Sequence, residues 1–441
     1  MDPAGRGRGV EPGSAGYDEK RGELIQNRNG ARERAFLMSL DHKGQGLATV
    51  EEQMLELGEL AKTAGLVVVG TEIQRRARPD PATFIGKGKV EELHERKHSP
   101  GFDLLVFNEE LSPRQQRNLE SRLDVKVIDR TELILDIFAQ RARTKEGRLQ
   151  VESAQLHHLL PRLQGGRDLS RLGSDRRRIR HRIRDLDQEI KEIRKQRALR
   201  REGRRRVPFP VVAIVGYTNS GKSTLLNALT QAQVQIQDAL FVTLDPTTRL
   251  VHLPDRHEVL MTDTVGFIQK LPTDLVAAFK ATLEEVQEAD ILLHVLDATR
   301  FNGRDQMEAV HEILQDLGAM DKPKVLALNK VDRLRPEALI TLLREDWSPY
   351  ERVVAISALR KTGLGELGTA ISETSPGDFV TVEVLLPYDQ PARQAEFHAR
   401  GKVEKIDYRA DGVAIRGLLP RRLLPRFEPF TAAPPRDASV Q

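Results

Sequence analysis

Short β-branched apolar runs separated by longer amphipathic stretches open the ordered part of the chain. Leu66-Val-Val-Val-Gly70, Asp103-Leu-Leu-Val-Phe107 and Val125-Lys-Val-Ile128 have the length and composition of buried strands, with helical stretches such as residues 50–64 among them. That alternation predicts an α/β domain with a parallel sheet over residues 31–130. Phe84-Ile-Gly-Lys-Gly-Lys-Val90 places two glycines before a helical segment. A strand-to-helix turn accounts for it better than a phosphate nest, because the full dinucleotide fingerprint is absent.

The period then changes. Ile179, Ile183, Leu186, Ile190 and Ile193 are spaced four, three, four, three, a coiled-coil seam of about two heptads. Leu149, Leu156, Leu160 and Leu163 form a second seam, and Gln164-Gly-Gly-Arg-Asp-Leu-Ser-Arg-Leu-Gly173 lies between the two. Residues 131–206 are therefore expected to be a long antiparallel helical hairpin with its tip in that segment. Pro208 and Pro210 mark the next boundary. Beyond them, 211–215, 259–261, 291–295, 325–328 and 353–356 are candidate strands of a domain over 207–375. Residues 380–386, 401–407 and 412–415 read as strands of a small domain over 376–430, followed by a frayed end from Thr431 to Gln441. The fold class is α/β and multidomain.

The 207–375 segment carries the chemistry. The strand 211–215 runs into Gly216-Tyr217-Thr218-Asn219-Ser220-Gly221-Lys222-Ser223, and Thr224 opens a helix. This is the context a P-loop requires: backbone N–H groups and a helix N-terminus cradle phosphates. Lys222 supplies a cation to the β- and γ-phosphates, and Ser223 an oxygen to Mg²⁺. Asp263-Thr264-Val265-Gly266 follows a second strand; Asp263 suits a water-mediated Mg²⁺ contact and Gly266 a γ-phosphate contact. Asn329-Lys330-Val-Asp332 follows a third. The Asp332 carboxylate can accept from guanine N1–H and N2–H₂, a donor pair adenine lacks. Asn329 is expected to brace the loop, the Lys330 stem to cover the base, and Ser357-Ala358 to offer a backbone N–H to guanine O6. Phe241-Val-Thr243-Leu-Asp245 lies where a switch loop belongs, with Thr243 as second Mg²⁺ ligand and Thr247 and Thr248 as rivals. Lys222, Thr243 and Gly266 are thus the catalytic candidates. Phe267 stands where many GTPases place a water-orienting glutamine, so intrinsic hydrolysis is expected to be slow, unless Phe267 is simply a packed switch residue. Asn219, three residues before Lys222, either holds a K⁺ ion against the phosphates or braces the switch loop. The ordered set of motifs implies binding and hydrolysis of GTP, and the guanine motif excludes a metabolic P-loop kinase.

Composition refines this picture. The 441-residue chain has 39% hydrophobic and 30% charged residues, which fits a soluble multidomain protein. It has no cysteine, which excludes disulfides, thiolate metal sites and cysteine nucleophiles. No apolar run is long enough to span a bilayer, and residues 1–30 are Gly-, Arg- and Glu-rich without the apolar core of a secretory signal. A disordered tail and a cytoplasmic location are the expectation, with peripheral membrane association left open. The net charge is only +4, yet residues 176–206 hold 15 Lys and Arg against 5 Asp and Glu, a local +10 that leaves about −6 for the rest. A solvated helix face is the plain alternative, but the acids are too few to neutralise it. Arg176, Arg177, Arg178, Arg180 and Arg184 are the candidate RNA contacts. With no aromatic on this helix, the phosphates of duplex or folded RNA suit it better than stacked single strands.

The combination resembles the HflX family of translation-factor-related GTPases. The residues that carry it are Phe84-Ile-Gly-Lys-Gly-Lys-Val-Glu-Glu-Leu93, Arg130-Thr-Glu-Leu-Ile-Leu-Asp-Ile-Phe138, Gly216-Tyr-Thr-Asn-Ser-Gly-Lys-Ser-Thr224, Phe241-Val-Thr-Leu-Asp-Pro-Thr-Thr-Arg249 and Asp263-Thr-Val-Gly-Phe267. The resemblance implies an N-terminal α/β domain with helical hairpin, a central P-loop G domain and a small C-terminal α/β domain. It also implies Mg²⁺ at Ser223 and Thr243, monomeric binding to the large ribosomal subunit, and splitting of stalled ribosomes. An ATP site in the N-terminal region has been proposed for the family, but no Walker motif is present there. In one respect the chain departs. Family members carry a long glycine-rich stretch before the arginine-rich helix, whereas here Leu172-Gly173-Ser174-Asp175 runs straight into Arg176.

Overall fold

A computed structural model describes residues 32–42, 47–163, 169–204, 209–230, 241, 246–254, 258–268, 283–300, 303–375, 379–420, 423–431 and 436–437. It divides into two compact units, residues 1–142 with 151–183, and residues 143–150 with 184–441.

In the first unit, β1 (Arg34–Asp41), α1 (Leu47–Thr63), β2 (Val67–Arg75), α2 (Lys87–Arg96), β3 (Leu104–Phe107), α3 (Pro113–Leu123), β4 (Lys126–Asp129) and α4 (Arg130–Arg141) follow one another. The four strands pair in parallel in the order β2-β1-β3-β4. Strand β1 is absent from the pattern-based prediction, yet it is central. Residues 35–40 contain no β-branched side chain, so propensity is weak there, and burial between two neighbours overrides it. Phe84 adopts φ 64° before the Gly86 N-cap of α2, so the glycine-bearing segment is a turn into a helix. Outside the carboxyl ends of β1 and β3, where open sheets bind ligands, a polar network fills the space. Asn108 donates to Gln53 (3.1 Å), Arg130 to Asn108 (3.0 Å) and to Glu56 (2.7 Å).

Two long helices follow, α5 (Lys145–Leu159) and α6 (Leu169–Arg204), and the division between the units falls within both. The ion pairs Arg182–Glu152 (2.7 Å) and Lys145–Glu189 (3.7 Å) run in opposite senses along the chain, which is an antiparallel arrangement. Ile179, Ile183, Leu186 and Ile190 are buried. Of the expected tip over 164–173, residues 169–173 are corrected to helix, and residues 164–168 lie outside the described residues. Gly173 costs a helix only about 1 kcal/mol relative to alanine, too little to break one this long.

The second unit holds a six-stranded sheet in the order β10-β9-β8-β5-β7-β6. Its strands are β5 (Val211–Val215), β6 (Thr247–His252), β7 (Glu258–Asp263), β8 (Ile291–Asp297), β9 (Lys324–Asn329) and β10 (Arg352–Ala355). All pair in parallel except β6, which is antiparallel to β7. Among its helices are α7 (Lys222–Thr230), α8 (Gly303–Asp316), α9 (Pro336–Leu343) and α10 (Leu364–Thr374). Val212, Ile214, Leu225, Ile291, Leu293 and Val295 belong to one core, with Ile371 of α10. Leu296, Leu326, Leu328 and Trp347 form another.

The same unit carries β11 (Phe379–Leu386), α11 (Pro391–Arg400), β12 (Lys402–Arg409), β13 (Gly412–Pro420), α12 (Leu424–Phe427) and β14 (Arg436–Asp437). The sheet runs β12-β13-β11-β14 and is antiparallel. The expected frayed end is corrected in part. Thr431 bridges Val384, and Arg436 and Asp437 pair with Thr381 and Val380, because β11 would otherwise present an open edge.

His294 of β8 is buried, and its Nδ1 and the Nε2 of His311 (2.8 Å) both face the Tyr350 hydroxyl. Burial, with smaller contributions from His311 and Lys222, pushes the His294 imidazolium down to about 3. The unfolded chain therefore binds a proton below the ordinary pKa near 6.5 that the folded chain refuses. The stability this neutral ring contributes is fully present above that pH and is lost as pH falls towards 3. Between pH 7 and pH 5 the expected loss is about 2 kcal/mol. Urea melts read by fluorescence of Trp347, the single tryptophan and a member of the adjacent core, measure it. His294→Gln should flatten that dependence relative to wild type; equal dependence in the two proteins would show that other groups govern it.

Candidate functional site

Strand β5 emerges from the middle of the six-stranded sheet, and its end throws off the 216–221 loop before α7 begins. Two glycines are required there. Gly216 has φ 146° and Gly221 φ 99°; a Cβ at the first would sit 2.3 Å from the Val295 carbonyl oxygen, and at the second 2.2 Å from Asn329 Nδ2. Asn219 between them takes the left-handed conformation, φ 58°. Tyr217, Thr218 and Ser220 are buried, and Thr224 is half-buried in the first turn of α7.

Lys222 is buried at the start of α7, where its ammonium donates to the carbonyls of Gly216 (3.0 Å) and Tyr217 (2.8 Å). Burial lowers its pKa to about 8, helped by Lys330 and opposed by Asp263. An anion arriving at the loop would restore the charged form. Ser223 Oγ donates to Asp263 Oδ2 (2.6 Å), so the two oxygens assigned to Mg²⁺ are adjacent. A hydroxyl and a carboxylate beside a phosphate loop are hard oxygen donors that fit this ion.

The Asp263–Gly266 segment is stitched to the phosphate loop. Thr218 N–H donates to the Phe267 carbonyl (2.7 Å) and Phe267 N–H to that of Gly216 (3.1 Å). Thr264 Oγ1 donates to the Ile214 carbonyl (2.7 Å), and Val265 is buried. A Cβ on Gly266 would lie 3.1 Å from Lys222 Nζ, so Gly266 borders the same ammonium. The Phe267 ring is 1% exposed, as a packed residue would be.

From the end of β9, Asn329 Nδ2 donates to the Ser220 carbonyl (2.8 Å), while its Oδ1 accepts from Ala358 N–H (3.0 Å). Lys330, at φ 66°, donates to the Asn219 carbonyl (2.7 Å) and to Asp297 (2.8 Å). Asp332 is exposed, and its Oδ1 accepts from Ser357 Oγ (2.6 Å). Ser357 N–H is bonded to the Thr362 carbonyl (3.1 Å). Both N–H groups of Ser357-Ala358 are thus engaged within the protein, so an Ala358 contact to guanine O6 would be a three-centre bond shared with Asn329.

Thr243 and Asp245 lie outside the described residues. Phe241 is buried, with φ 54°. Of the rivals to Thr243, Thr248 has its hydroxyl tied to that of Thr262 (2.9 Å), and Thr247 pairs opposite Asp263. On α6, Arg177, Arg178, Arg180 and Arg184 are exposed and Arg176 is half-buried. Asp297 is the site residue that sequence patterning missed. Its one signal is an acid closing a run that is apolar but for His294, Ile291-Leu-Leu-His-Val-Leu-Asp297.

A glycine-bent phosphate loop, an aspartate beside the helix-opening serine, and an Asn-Lys-x-Asp loop braced against both define a P-loop GTPase. Three family models match: "GTP-binding GTPase N-terminal" over residues 51–139, "GTP-binding GTPase Middle Region" over 141–204 and "50S ribosome-binding GTPase" over 211–330. GTPase HflX of Caldanaerobacter subterraneus subsp. tengcongensis is 43% identical, covering 93% of this chain and 96% of its own. GTPase HflX of Escherichia coli is 40% identical, covering 82% and 88%. A solved structure of SsGBP with GDP is 28% identical and covers 78% of this chain and 98% of its own, with a TM-score of 0.47. The chain belongs to the HflX family of GTPases.

Proposed function

We propose that this GTPase binds the large ribosomal subunit and dissociates stalled or idle ribosomes, acting as a monomer in the cytoplasm. The observation that carries this reading is a charge that the GTP site does not need. Helix α6 keeps Ile179, Ile183 and Ile190 buried and turns Arg177, Arg178, Arg180 and Arg184 to solvent, as a phosphate-binding face requires. The family model over the nucleotide-binding region, described as a 50S ribosome-binding GTPase, supports it.

In the nucleotide site, Lys222 and the N–H groups of residues 216–224 hold the phosphates. Ser223 and Thr243 would hold Mg²⁺, which would neutralise phosphate charge, and Asp263 would contact it through water. Gly266 meets the γ-phosphate, and Asp332 selects guanine while Lys330 covers it. Asn219 holds a monovalent cation. GTP turnover should then be several-fold faster in K⁺ than in Na⁺ buffer at equal ionic strength, and equal rates would remove the cation from the mechanism.

A second reading, an rRNA-remodelling or assembly GTPase without splitting activity, is favoured by the missing glycine-rich segment, since Leu172 and Gly173 are already within α6. Sedimentation of intact ribosomes with the protein and GTP, against GDP, separates the two. Conversion to free subunits only with GTP is the expected result. Co-migration with the large subunit without conversion would favour the second reading, and no association would defeat both.

A further inference from the structure

We infer that Asp297 is a positioning residue that couples base recognition to the phosphate loop, acting through Lys330 without touching the nucleotide. The inference rests on the GTP-site reading above and adds to it a residue outside every nucleotide motif.

Asp297 closes β8 and is 5% exposed. Its Oδ2 accepts from Lys330 Nζ at 2.8 Å, and its Oδ1 accepts from Thr299 N–H at 3.0 Å and Thr299 Oγ1 at 2.7 Å. The carboxylate is therefore locked in orientation by the turn that follows it. Arg300 approaches at 3.9 Å but is half-exposed, so Lys330 is the better-shielded partner. The Lys330 ammonium in turn donates to the Asn219 carbonyl at 2.7 Å. Asn219 and Lys330 are both non-glycine residues held at positive φ, 58° and 66°. Such backbone persists when the surroundings over-determine it, and here each residue is one end of the same ammonium contact. Two further bonds run in parallel: Asn329 Nδ2 to the Ser220 carbonyl at 2.8 Å, and Ala298 N–H to the Asn329 carbonyl at 2.9 Å. Asn329 can thus hold Ser220 by itself, while among the described residues it is Lys330 that reaches Asn219, and Asp297 sets where Lys330 points.

A flexible lysine has many rotamers, and fixing one costs conformational entropy. A buried carboxylate lets that cost be met before nucleotide arrives, with the Lys330 stem already laid along the base-binding side and its head on the loop. Because the stem meets the purine face rather than its edge, Asp297 should strengthen binding of every purine that the edge contacts admit. It should not discriminate among them.

The test is equilibrium binding of fluorescently labelled GDP, with GTP and ITP as competitors, to the full chain carrying Asp297→Asn, Lys330→Ala or both. Asparagine keeps the shape and can still accept from Thr299. Asp297→Asn is expected to weaken GDP binding about tenfold, to leave the GTP-to-ITP affinity ratio unchanged, and to add little once Lys330 is alanine. Asp297→Glu, which restores the charge, should recover part of the loss. Additive effects of the two substitutions, or wild-type affinity in Asp297→Asn, would overturn the inference. A changed GTP-to-ITP ratio would overturn it too, by placing Asp297 on the purine edge. Asp332→Asn in the same assay should change the ratio, so a failure of the underlying site assignment is told apart from a failure of the coupling.

Discussion

Asp332→Asn should cost the protein about a thousand-fold in GTP affinity and give it xanthosine triphosphate in exchange. The Ser357 hydroxyl already donates to one carboxylate oxygen of Asp332 and so orients the group, leaving its remaining acceptor capacity for the purine edge. Guanine offers two donors there, N1–H and N2–H₂. Each charge-assisted bond is worth about 1.5–3 kcal/mol, and every 1.4 kcal/mol is tenfold. An asparagine faces N2–H₂ with an amide N–H₂, donor against donor. Xanthine carries a carbonyl at that position and accepts what the amide offers. Competition of GTP and xanthosine triphosphate against labelled GDP measures the exchange. Tight binding of the xanthine nucleotide also shows that the variant is folded, which separates a specificity change from damage. Retained preference for GTP would remove Asp332 from the base site.

What the sequence made legible divides along a physical line. Strands β5, β7, β8 and β9 are buried, so apolar runs marked them to within a few residues. Strand β6 left no such mark: of Thr247-Thr-Arg-Leu-Val-His252 only Val251 is buried, and its pairing with β7 is a long-range choice that no local pattern encodes. Strand β1 failed for the opposite reason: Ala35 to Leu40 are buried, but Phe36 alone among them has a β preference. Helix α11 opens with Pro391 and has a single large apolar side chain, Phe397, so it left no apolar run to read. In the nucleotide site the motifs brought out Lys222, Ser223, Asp263, Asn329 and Asp332, each tied to a strand end, and the structure sets Ser223 Oγ 2.6 Å from Asp263. The ties between motifs were not legible. Asn329 reaches Ser220 across 109 positions and Lys330 reaches Asn219 across 111. Nothing in either local sequence says which carbonyl the side chain will find, and the acid that closes β8, Asp297, gives no sign of the lysine it meets.

Replacing Arg176, Arg177, Arg178, Arg180 and Arg184 by glutamine should weaken ribosome association and flatten its salt dependence. Four of the five are exposed on α6, opposed to a buried row of Ile179, Ile183, Leu186 and Ile190. The substitution therefore removes charge while leaving the buried apolar row unchanged, and glutamine keeps helix propensity close to that of arginine. Each arginine that no longer neutralises a phosphate lowers the slope of log affinity against log salt by about 0.7–0.9, so a full set of five predicts a fall of about four. Across a fourfold change in salt, a slope difference of about four is a change of more than a hundred-fold in relative affinity, large enough to read by pelleting. GTP affinity, measured on the same preparations, should not move, because none of the five is among the nucleotide-site residues. Ion pairing within the helices limits how far this extends: Arg182, engaged with Glu152 at 2.7 Å, is left out of the set because replacing it would also break an interhelical ion pair. Identical slopes for wild type and variant would mean that the arginines are a solvated helix face, and that the ribosome, if bound, is held by other parts of the chain.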